Sequence, residues 1–194
     1  MLDKSLPFYD ILMHRPAGAP IKRFKLPPGY SFCMFTFGDE ADWARIEASV
    51  LEFDDAVEAL IYFCDERLHY LRELELRCMF VKTSGGEKVA TASAWWNYTR
   101  KRRDPWLHWV AVKPEHQGKG LGKAIVGETL HLMKAIEGDR DYYLHTQTWS
   151  HRAVEIYEKA GFVITKERGL GGYRNDQYEA ALQVLNEVRK QCSY

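Results

Sequence analysis

The stretch from Val110 to Lys123 constrains the fold of this chain more than any other. Two alternating valines at its start are typical of a strand, and a Pro-led turn follows. Glycines at positions 118, 120 and 122 come next, before an amphipathic run. Such glycines let consecutive backbone N–H groups converge on an anion, and a following helix adds its positive N-terminus. The stretch therefore predicts a strand, a loop that binds a phosphorylated ligand, and a helix.

Two common phosphate-binding loops do not match this spacing. A P-loop needs G-x-x-x-x-G-K-[ST], but Gly118 and Gly122 are one residue too close, and Ala124 replaces the hydroxyl residue. The dinucleotide fingerprint G-x-G-x-x-G would need glycine where Lys123 stands, and this loop lies late in the chain. A turn that only tightens strand-to-helix packing would leave several N–H groups without partners. A third kind of anion site is the better interpretation.

Composition sets broad limits on partners and location. The chain has 194 residues with 27 basic and 27 acidic side chains, so no excess charge points to nucleic acid or an anionic membrane. No apolar run approaches the roughly 18 residues of a membrane span, and the start lacks the apolar core of a signal peptide. The four cysteines show neither C-x-x-C spacing nor the density of a disulfide scaffold. We expect a cytoplasmic protein with reduced thiols.

Hydrophobic periodicity predicts an α/β fold with a mixed sheet. Strands are predicted at residues 9–13, 21–26, 30–37, 76–83, 89–98, 106–112, 141–146 and 162–165. Helices are predicted after Asp39 and Ser150 as N-caps, from Val57 to Leu71, from Leu121 to Gly138, and from Asn175 onward. The second helix should bury a face formed by Val57, Leu60, Ile61, Cys64, Leu68 and Leu71. The strand-helix-strand unit around the glycine loop should be parallel and right-handed.

The glycine loop resembles the acyl-CoA loop of the GNAT superfamily of N-acetyltransferases, whose signature is [QR]-x-x-G-x-[GA] after a strand. Residues 117–122, with the sequence QGKGLG, fill every specified position. A second block, residues 150–162, resembles the family's N-x-x-A-x-x-x-Y-x-x-x-G-F segment, with Ser150 in place of asparagine. The resemblance implies a GNAT-like mixed, mostly antiparallel twisted sheet with helices on both faces and a central strand-loop-helix CoA site.

The same resemblance sets the expected domain organisation. It covers residues 30–165, which we take as the GNAT core. Residues 1–29 would form an N-terminal extension and residues 166–194 a C-terminal helical segment. We expect a single N-acetyltransferase domain over residues 1–194.

The resemblance implies acetyl-CoA as co-substrate and no metal. The main chain of Val110, Ala111 and Val112 would pair with the pantetheine arm as an added strand does. The pyrophosphate would lie against a loop and first helical turn made of Gln117, Gly118, Lys119, Gly120, Leu121, Gly122 and Lys123. Ser150 holds the position from which the family's asparagine contacts the cofactor, and it would also cap the helix.

Tyr157, in the second block, is the implied general acid. A phenol, with a pKa of about 10, is still protonated beside a departing thiol, with a pKa of about 8.5. The alternative is that Tyr157 only fills the apolar face of its helix. His108 is the first candidate for the base, because strand alternation places it on the face of Val110 and Val112. A hydrogen-bonded core histidine is the alternative there, and further base candidates are Glu40, Asp42 and His145.

Two hypotheses of different class follow. The first is an enzyme that transfers an acetyl group from acetyl-CoA to an amine of a small molecule or peptide by direct attack. The second is a non-catalytic acyl-CoA-binding sensor or regulatory module. No nucleic acid or membrane partner is expected, and a homodimer is left open. No motif identifies the acceptor amine or the roles of the two terminal segments.

Overall fold

Residues 2–191 are described by a computed structural model of the protein, in which they form seven strands and six α-helices. The strands are β1 (Asp10–Arg15), β2 (Tyr30–Met34), β3 (Cys78–Thr83), β4 (Lys88–Thr99), β5 (Arg102–Val112), β6 (Tyr142–Gln147) and β7 (Val163–Ile164). The helices are α1 (Glu40–Ser49), α2 (Ala56–Glu66), α3 (Leu71–Arg77), α4 (Leu121–Glu137), α5 (His151–Lys159) and α6 (Tyr178–Gln191).

The sheet is mixed and mostly antiparallel, as the sequence predicts. Its strand order is β2-β3-β4-β5-β6-β1-β7. β1 pairs antiparallel with β6 and β7, and β3 pairs antiparallel with β2 and β4. β5 and β6 run parallel, with Trp106 opposite Tyr143. Since α4 lies between these two strands in the chain, the predicted parallel strand-helix-strand unit is confirmed, and its glycine loop follows the carboxyl end of β5.

The chain forms two compact units, which we call unit 1 and unit 2. Unit 1 consists of residues 21–95 and 107–138 and contains α1 to α4. Helices α1 and α2 pack against each other and bury a group of aromatic side chains. The Phe63 ring lies 4.8 Å from the Trp43 ring and 5.6 Å from the Phe35 ring, measured between centroids. This aromatic packing forms the core of unit 1 beneath the two helices.

Unit 2 consists of residues 2–20, 96–106 and 139–191 and contains β1, β6, β7, α5 and α6. One core cluster is formed by Leu12, Trp106 and Tyr143 on strands and Leu170 in a 3₁₀ turn after β7, with Tyr173 packed against it. Arg15 is completely buried, and its guanidinium donates to the carbonyl oxygens of Ala160 and Ala19 at 2.9 and 2.6 Å. A buried cation whose donors are used in this way holds the β1 turn against the end of α5.

The face that α2 buries differs from the prediction. Helix α2 ends at Glu66, and α3 begins only at Leu71, so the predicted single helix is interrupted. The buried α2 residues are Ala59 and Phe63, whereas Val57 and Ile61 are 66% and 57% exposed. Because α2 carries apolar residues on two sides, helical spacing alone does not show which side faces the core.

Two predicted N-caps are in the expected positions without the expected bonds. Asp39 and Ser150 precede α1 and α5, but neither side chain caps its helix. The Asp39 carboxylate instead accepts hydrogen bonds from the Thr36 backbone N–H at 2.9 Å and from Lys88 Nζ at 2.6 Å. Asp39 therefore ties α1 to β4 rather than stabilising its own helix end.

Two further sequence expectations concern thiols and membranes. Cys33, Cys64 and Cys78 are free thiols, and Cys192 lies outside the described residues. Across residues 2–191, the helices lack the combination of length and hydrophobicity that a membrane crossing requires.

The segment 21–26, which the sequence predicts to be a strand, has no regular structure and crosses α4 instead. An ideal Cβ placed on Gly127 would lie 2.7 Å from the Lys22 carbonyl oxygen and 3.4 Å from the Phe24 ring. The Lys123 ammonium lies 5.5 Å from the centroid of the same ring. Glycine inside a helix normally costs about 1 kcal/mol relative to alanine. Here it allows the segment to pass directly over the helix.

We expect Gly127→Ala to lower the melting temperature, because the new methyl group would collide with a backbone carbonyl that cannot rotate away. Overpacking costs about 1–3 kcal/mol, and each kcal/mol lowers the Tm by about 2–4 °C in a chain of this size. The control is Ala135→Gly at an exposed position of the same helix, which measures the difference in helix propensity between alanine and glycine. If Gly127→Ala instead raises the Tm by about as much as Ala135→Gly lowers it, the close packing at Gly127 is contradicted.

Candidate functional site

The glycine loop has the local backbone geometry that the sequence predicts. A short 3₁₀ turn at Pro114–His116 follows β5, and Gly118 and Gly120 adopt left-handed φ angles of 74° and 86°. Gly120 occupies the N-cap position of α4, and no side chain caps that helix. The first-turn N–H groups of α4 are thus left without a side-chain acceptor, which is the arrangement that suits a bound anion.

Side chains of the loop fasten it to the rest of unit 1. Gln117 Nε2 donates to the Val112 carbonyl oxygen at 2.8 Å, which connects the loop to the end of β5. Lys119 Nζ donates to the Glu115 carbonyl oxygen at 3.0 Å. The Tyr30 hydroxyl lies 2.9 Å from His116 Nδ1. Contacts on both sides of Gly118 therefore hold the first part of the loop.

Trp109 interrupts the regular geometry of β5. Its φ angle is 51°, a conformation that bulky side chains rarely adopt and that costs roughly 1–3 kcal/mol. Regular alternation does not continue through such a residue, because successive side chains change faces only in extended backbone. The argument that placed His108 on the face of Val110 and Val112 therefore does not hold. His108 itself is half-buried.

The Trp109 ring belongs to an aromatic cluster in unit 1, formed by Trp43 on α1, Phe53 on the following loop, Tyr62 on α2 and Trp109 on β5. The centroid of the Trp109 ring lies 5.2 Å from those of Trp43 and Tyr62 and 5.6 Å from that of Phe53. Three elements distant in sequence thus hold Trp109 in its strained conformation.

Two opposite charges are buried in unit 1, and sequence reasoning missed both. Glu47 on α1 is 1% exposed, and its Oε1 has no hydrogen-bond partner among the described residues. Burial raises the pKa of Glu47 well above its ordinary value, an effect that Glu52 increases and Arg67 opposes. Arg67 is 6% exposed, and its guanidinium lies 3.9 Å from the centroid of the Trp95 ring. Burial lowers the pKa of Arg67 to about 10.

Tyr157, the predicted acid, lies on α5 in unit 2. Its side chain is buried, with the ring 6.2 Å from that of Phe162 in an edge-to-face arrangement. The Phe162 backbone N–H donates to the Tyr157 carbonyl oxygen at 3.0 Å, so the end of α5 is fixed in place. Both predicted readings of Tyr157, the acid and the packing residue, are compatible with this environment.

His145, which the sequence analysis gave only as a further candidate for the base, has well-defined polar and aromatic contacts. Its Nε2 lies 2.9 Å from Asp10 Oδ1, across the antiparallel pair of β1 and β6. Its ring stacks on Tyr173 with centroids 4.2 Å apart. The Asp10 backbone N–H donates to Gln177 Oε1 at 2.8 Å. A carboxylate on one ring nitrogen orients an imidazole and leaves the other nitrogen for a transferred proton.

The two carboxylate candidates for the base are engaged elsewhere in unit 1. Burial acts to raise the pKa of Asp42, but hydrogen bonds from Arg45 and Lys88 outweigh it, and the pKa is lowered. Glu40 accepts a hydrogen bond from the Gly38 backbone N–H at 2.9 Å. A paired carboxylate with a lowered pKa is a poor proton acceptor near neutral pH, so the structure argues against Asp42.

Comparison with known proteins identifies the family. Residues 41–162, more than half of the chain, match the model of the acetyltransferase (GNAT) family. The chain belongs to the GNAT family. The predicted recognition is thereby confirmed, together with the fold that it implies.

Solved GNAT structures share this fold at low sequence identity. A GCN5-related N-acetyltransferase from Sphaerobacter thermophilus superposes with a TM-score of 0.62 at 21% identity, over 82% of this chain and 49% of that one. A GNAT acetyltransferase from Colwellia psychrerythraea gives 0.59 at 11% identity, over 82% and 54%. The chain thus spans about half the length of these two proteins.

A shorter match is to a protein of more specific name. The spermidine N(1)-acetyltransferase of Vibrio cholerae is 35% identical over 54 residues, which cover 28% of this chain and 31% of that enzyme. The chain therefore covers less than a third of the length of this GNAT relative.

One group of side chains in this GNAT protein has ligand atoms close enough for a cation. Atoms of Glu87, Glu115 and His116 lie within 4.8 Å of one another in unit 1. Glu87, however, accepts from Lys113 Nζ at 2.6 Å, and His116 Nδ1 is bonded to Tyr30. The chain's own cation and hydroxyl already engage these groups, and the absence of a metal stays a prediction.

We expect Glu47→Gln to stabilise this GNAT fold at neutral pH. In the folded state the pKa of Glu47 is raised above its ordinary value of 4.5. The protonated side chain therefore makes its full contribution to the free energy of unfolding below pH 4.5, and this contribution is lost as the pH rises through the pKa of the folded state. Glutamine never ionises, so the Tm difference between variant and wild type should be small at about pH 4 and positive at about pH 8. Each kcal/mol should appear as about 2–4 °C.

The matched control is Glu75→Gln, which neutralises an exposed acid on α3. It should leave the Tm nearly unchanged at both pH values, because an exposed charge keeps its hydration. A Tm difference for Glu47→Gln that does not grow with pH would show that Glu47 is not a buried acid of raised pKa.

Proposed function

We propose that this protein is an N-acetyltransferase that transfers the acetyl group of acetyl-CoA directly to an amine of a small molecule or peptide. Membership of the GNAT family supports acetyltransferase chemistry in general. The observation that carries the proposal is the loop after β5, where Gly118 and Gly120 adopt left-handed φ angles in front of an uncapped helix. That geometry suits a pyrophosphate, and the loop sequence is the one that the family uses for CoA.

In this proposal the donor is held mainly by backbone groups. The main chain of Val110, Ala111 and Val112 would extend along the pantetheine arm. The N–H groups from Gly118 to Lys123 would bind the pyrophosphate, and Ser150 would contact the same cofactor. Backbone donors suit this task because folding fixes their direction, whereas flexible lysine side chains lose entropy on binding.

The proposed reaction forms one bond and breaks one. The neutral amine attacks the thioester carbonyl carbon, the C–N bond forms, the C–S bond breaks, and CoA leaves as a thiolate. Tyr157 gives its proton to the thiolate, and a base takes the proton that the amine nitrogen loses. A tyrosine is suited to this role because its pKa of about 10 keeps it protonated until a thiolate is present.

Two histidines are proposed for the base. His108 is the first candidate from the sequence, and it lies one residue before the strained Trp109. His145 is supported by its 2.9 Å contact with Asp10, which orients the ring. This contact makes His145 the candidate that the geometry of the described residues favours.

An amine acceptor is proposed partly on the relative from Vibrio cholerae, whose printed name specifies spermidine. A non-catalytic acyl-CoA-binding module is the second proposed function, and it rests on the same loop. Thiol release from acetyl-CoA with a panel of amines separates the two, because a sensor would bind CoA saturably and release no thiol with any amine. Cytoplasmic location and a homodimer are carried forward as proposals from the sequence.

We expect Gly120→Ala to weaken acetyl-CoA binding, because alanine at a φ of 86° strains the loop that would hold the pyrophosphate. The KM for acetyl-CoA should rise by about tenfold or more, with a smaller change in kcat. Gly85→Ala is the control, since this glycine lies in the β3–β4 turn and an added Cβ there would meet only ordinary contacts. An unchanged KM in Gly120→Ala would remove the loop from cofactor binding.

Tyr157→Phe should fold normally and lose turnover. Removing the proton donor is expected to lower kcat by about 100-fold while the Tm stays within a few degrees. Tyr98→Phe, which removes an exposed hydroxyl on β4, serves as the control and should keep wild-type kcat. Unchanged turnover in Tyr157→Phe would leave this residue with packing alone.

The pH dependence of kcat/KM distinguishes the two histidines. Wild-type activity should fall on the acidic side as the base becomes protonated. We expect His145→Gln to lose this acidic limb and His108→Gln to keep it. The opposite result for the two glutamine variants would assign the role to His108.

A further inference from the structure

Glu47 is a buried acid that no role described so far requires. It lies in the last turn of α1 and is 1% exposed, yet its carboxyl Oε1 has no hydrogen-bond partner within residues 2–191. Buried carboxyl groups are normally paired or hydrogen-bonded, because desolvation of an unpaired one costs several kcal/mol. A bound ligand that donates to Oε1 would supply the missing hydrogen bond.

The charges around Glu47 favour a cation. The groups that interact electrostatically with it or with its neighbours Tyr62 and Arg67 are Glu52 in the loop after α1, Glu66 at the end of α2, and Cys78 on β3. Burial raises the pKa of Cys78 to about 11, and burial also raises the pKa of Tyr62, so both are neutral. Three carboxyl groups and one guanidinium therefore interact electrostatically in this part of unit 1.

Arg67 does not neutralise this excess by direct contact. No ion pair joins it to Glu47 in the part of the chain that the structure describes, and its Nε has no hydrogen-bond partner there. Its guanidinium is stacked on Trp95 instead. The two charges influence each other across a gap, and the Glu47 carboxylate keeps its acceptor positions.

The aromatic cluster lies next to this acid in the same unit. Tyr62 belongs to both, because its ring packs against Trp43, Phe53 and Trp109 while its hydroxyl interacts with the charges of Glu47 and Arg67. Aromatic faces attract ammonium groups and also pack against methylene chains. Trp109 is the residue before Val110, so the cluster adjoins the strand end proposed to hold the pantetheine arm.

An amine acceptor has two chemically different places in such a reaction. The attacking nitrogen must be neutral, whereas a carboxylate beside it would favour its charged form. A carboxylate therefore suits a second nitrogen that does not react. Burial raises the pKa of Glu47, and an ammonium beside the carboxylate would offset the cost of ionising it.

We propose that Glu47 and the aromatic cluster of Trp43, Phe53, Tyr62 and Trp109 bind the second, non-reacting ammonium of a diamine or polyamine acceptor. This inference rests on the proposed acetyltransferase function and assigns its substrate class. The methylene chain lies along the rings, and the distal ammonium meets the Glu47 carboxylate. An acceptor with a carboxylate at that end is disfavoured by the surrounding acids.

The test compares 1,4-diaminobutane with n-butylamine, which share the reacting amine and the chain length but differ in the second ammonium. Thiol release gives kcat/KM for each. The wild type should prefer the diamine by about tenfold or more, and Glu47→Gln should reduce the preference to about twofold with little change for butylamine. Phe53→Leu should reduce it in the same direction, and Glu75→Gln should keep it.

A second measurement tests binding without turnover. In the presence of CoA, 1,4-diaminobutane should raise the Tm of the wild type and of Glu75→Gln but not that of Glu47→Gln. If Glu47→Gln is less stable than the wild type before any amine is added, the Tm shift caused by 1,4-diaminobutane is compared between the wild type and Phe53→Leu instead. Phe53 is half-buried and lies in a loop, so this variant should fold.

The outcomes separate the inference from the proposed function. If no amine releases thiol while the diamine still stabilises the wild type and not Glu47→Gln, the transferase proposal fails and the cation site stands. If both amines are acetylated with the same preference in the wild type and Glu47→Gln, the transferase proposal stands and the site at Glu47 is wrong. Equal Tm shifts for the wild type and Glu47→Gln on addition of 1,4-diaminobutane would also show that the site at Glu47 is wrong.

Discussion

The left-handed backbone at Trp109 is the constraint on which the proposed site in unit 1 depends. Tryptophan has no intrinsic preference for a φ of 51°, so the conformation persists only because packing enforces it. The enforcing contacts are the rings of Trp43, Phe53 and Tyr62, which come from α1, the loop after it and α2. The strand end and the two helices are therefore coupled, and the regular alternation of β5 stops just before the residues proposed to meet the pantetheine arm.

The two units treat buried charge differently. In unit 2 the guanidinium of Arg15 donates to two carbonyl oxygens, so its burial is compensated and its role is structural. In unit 1 the buried atoms Glu47 Oε1 and Arg67 Nε have no hydrogen-bond partner among residues 2–191. Buried polar groups without partners lower stability, and a bound ligand that supplies the missing contact is one explanation for such a group. This contrast is the physical basis for assigning Glu47 to acceptor binding.

Sequence patterns predicted those parts of the fold that depend on local backbone preference. The left-handed angles of Gly118 and Gly120 could be foreseen because other residues adopt them only with strain, and Gly138 ends α4 for the same reason. The patterns were less informative where packing chooses between similar options. Helix α2 is apolar on two sides, and residues 21–26 alternate like a strand but lie across α4 at Gly127. A sheet partner or a helix to cross is a tertiary contact, and no local spacing encodes it.

The sequence by itself determined the glycine loop, the order of strands and helices around it, and the motif by which the GNAT family is recognised. All three are set within a few residues, where chain sterics and hydrophobic period act directly. Only the tertiary structure decided which face of α2 is buried, that Trp109 is strained, that Asp10 orients His145, and that Glu47 lies unpaired near four aromatic rings. These features join residues far apart in the chain, and burial and electrostatic coupling exist only once the elements have packed together.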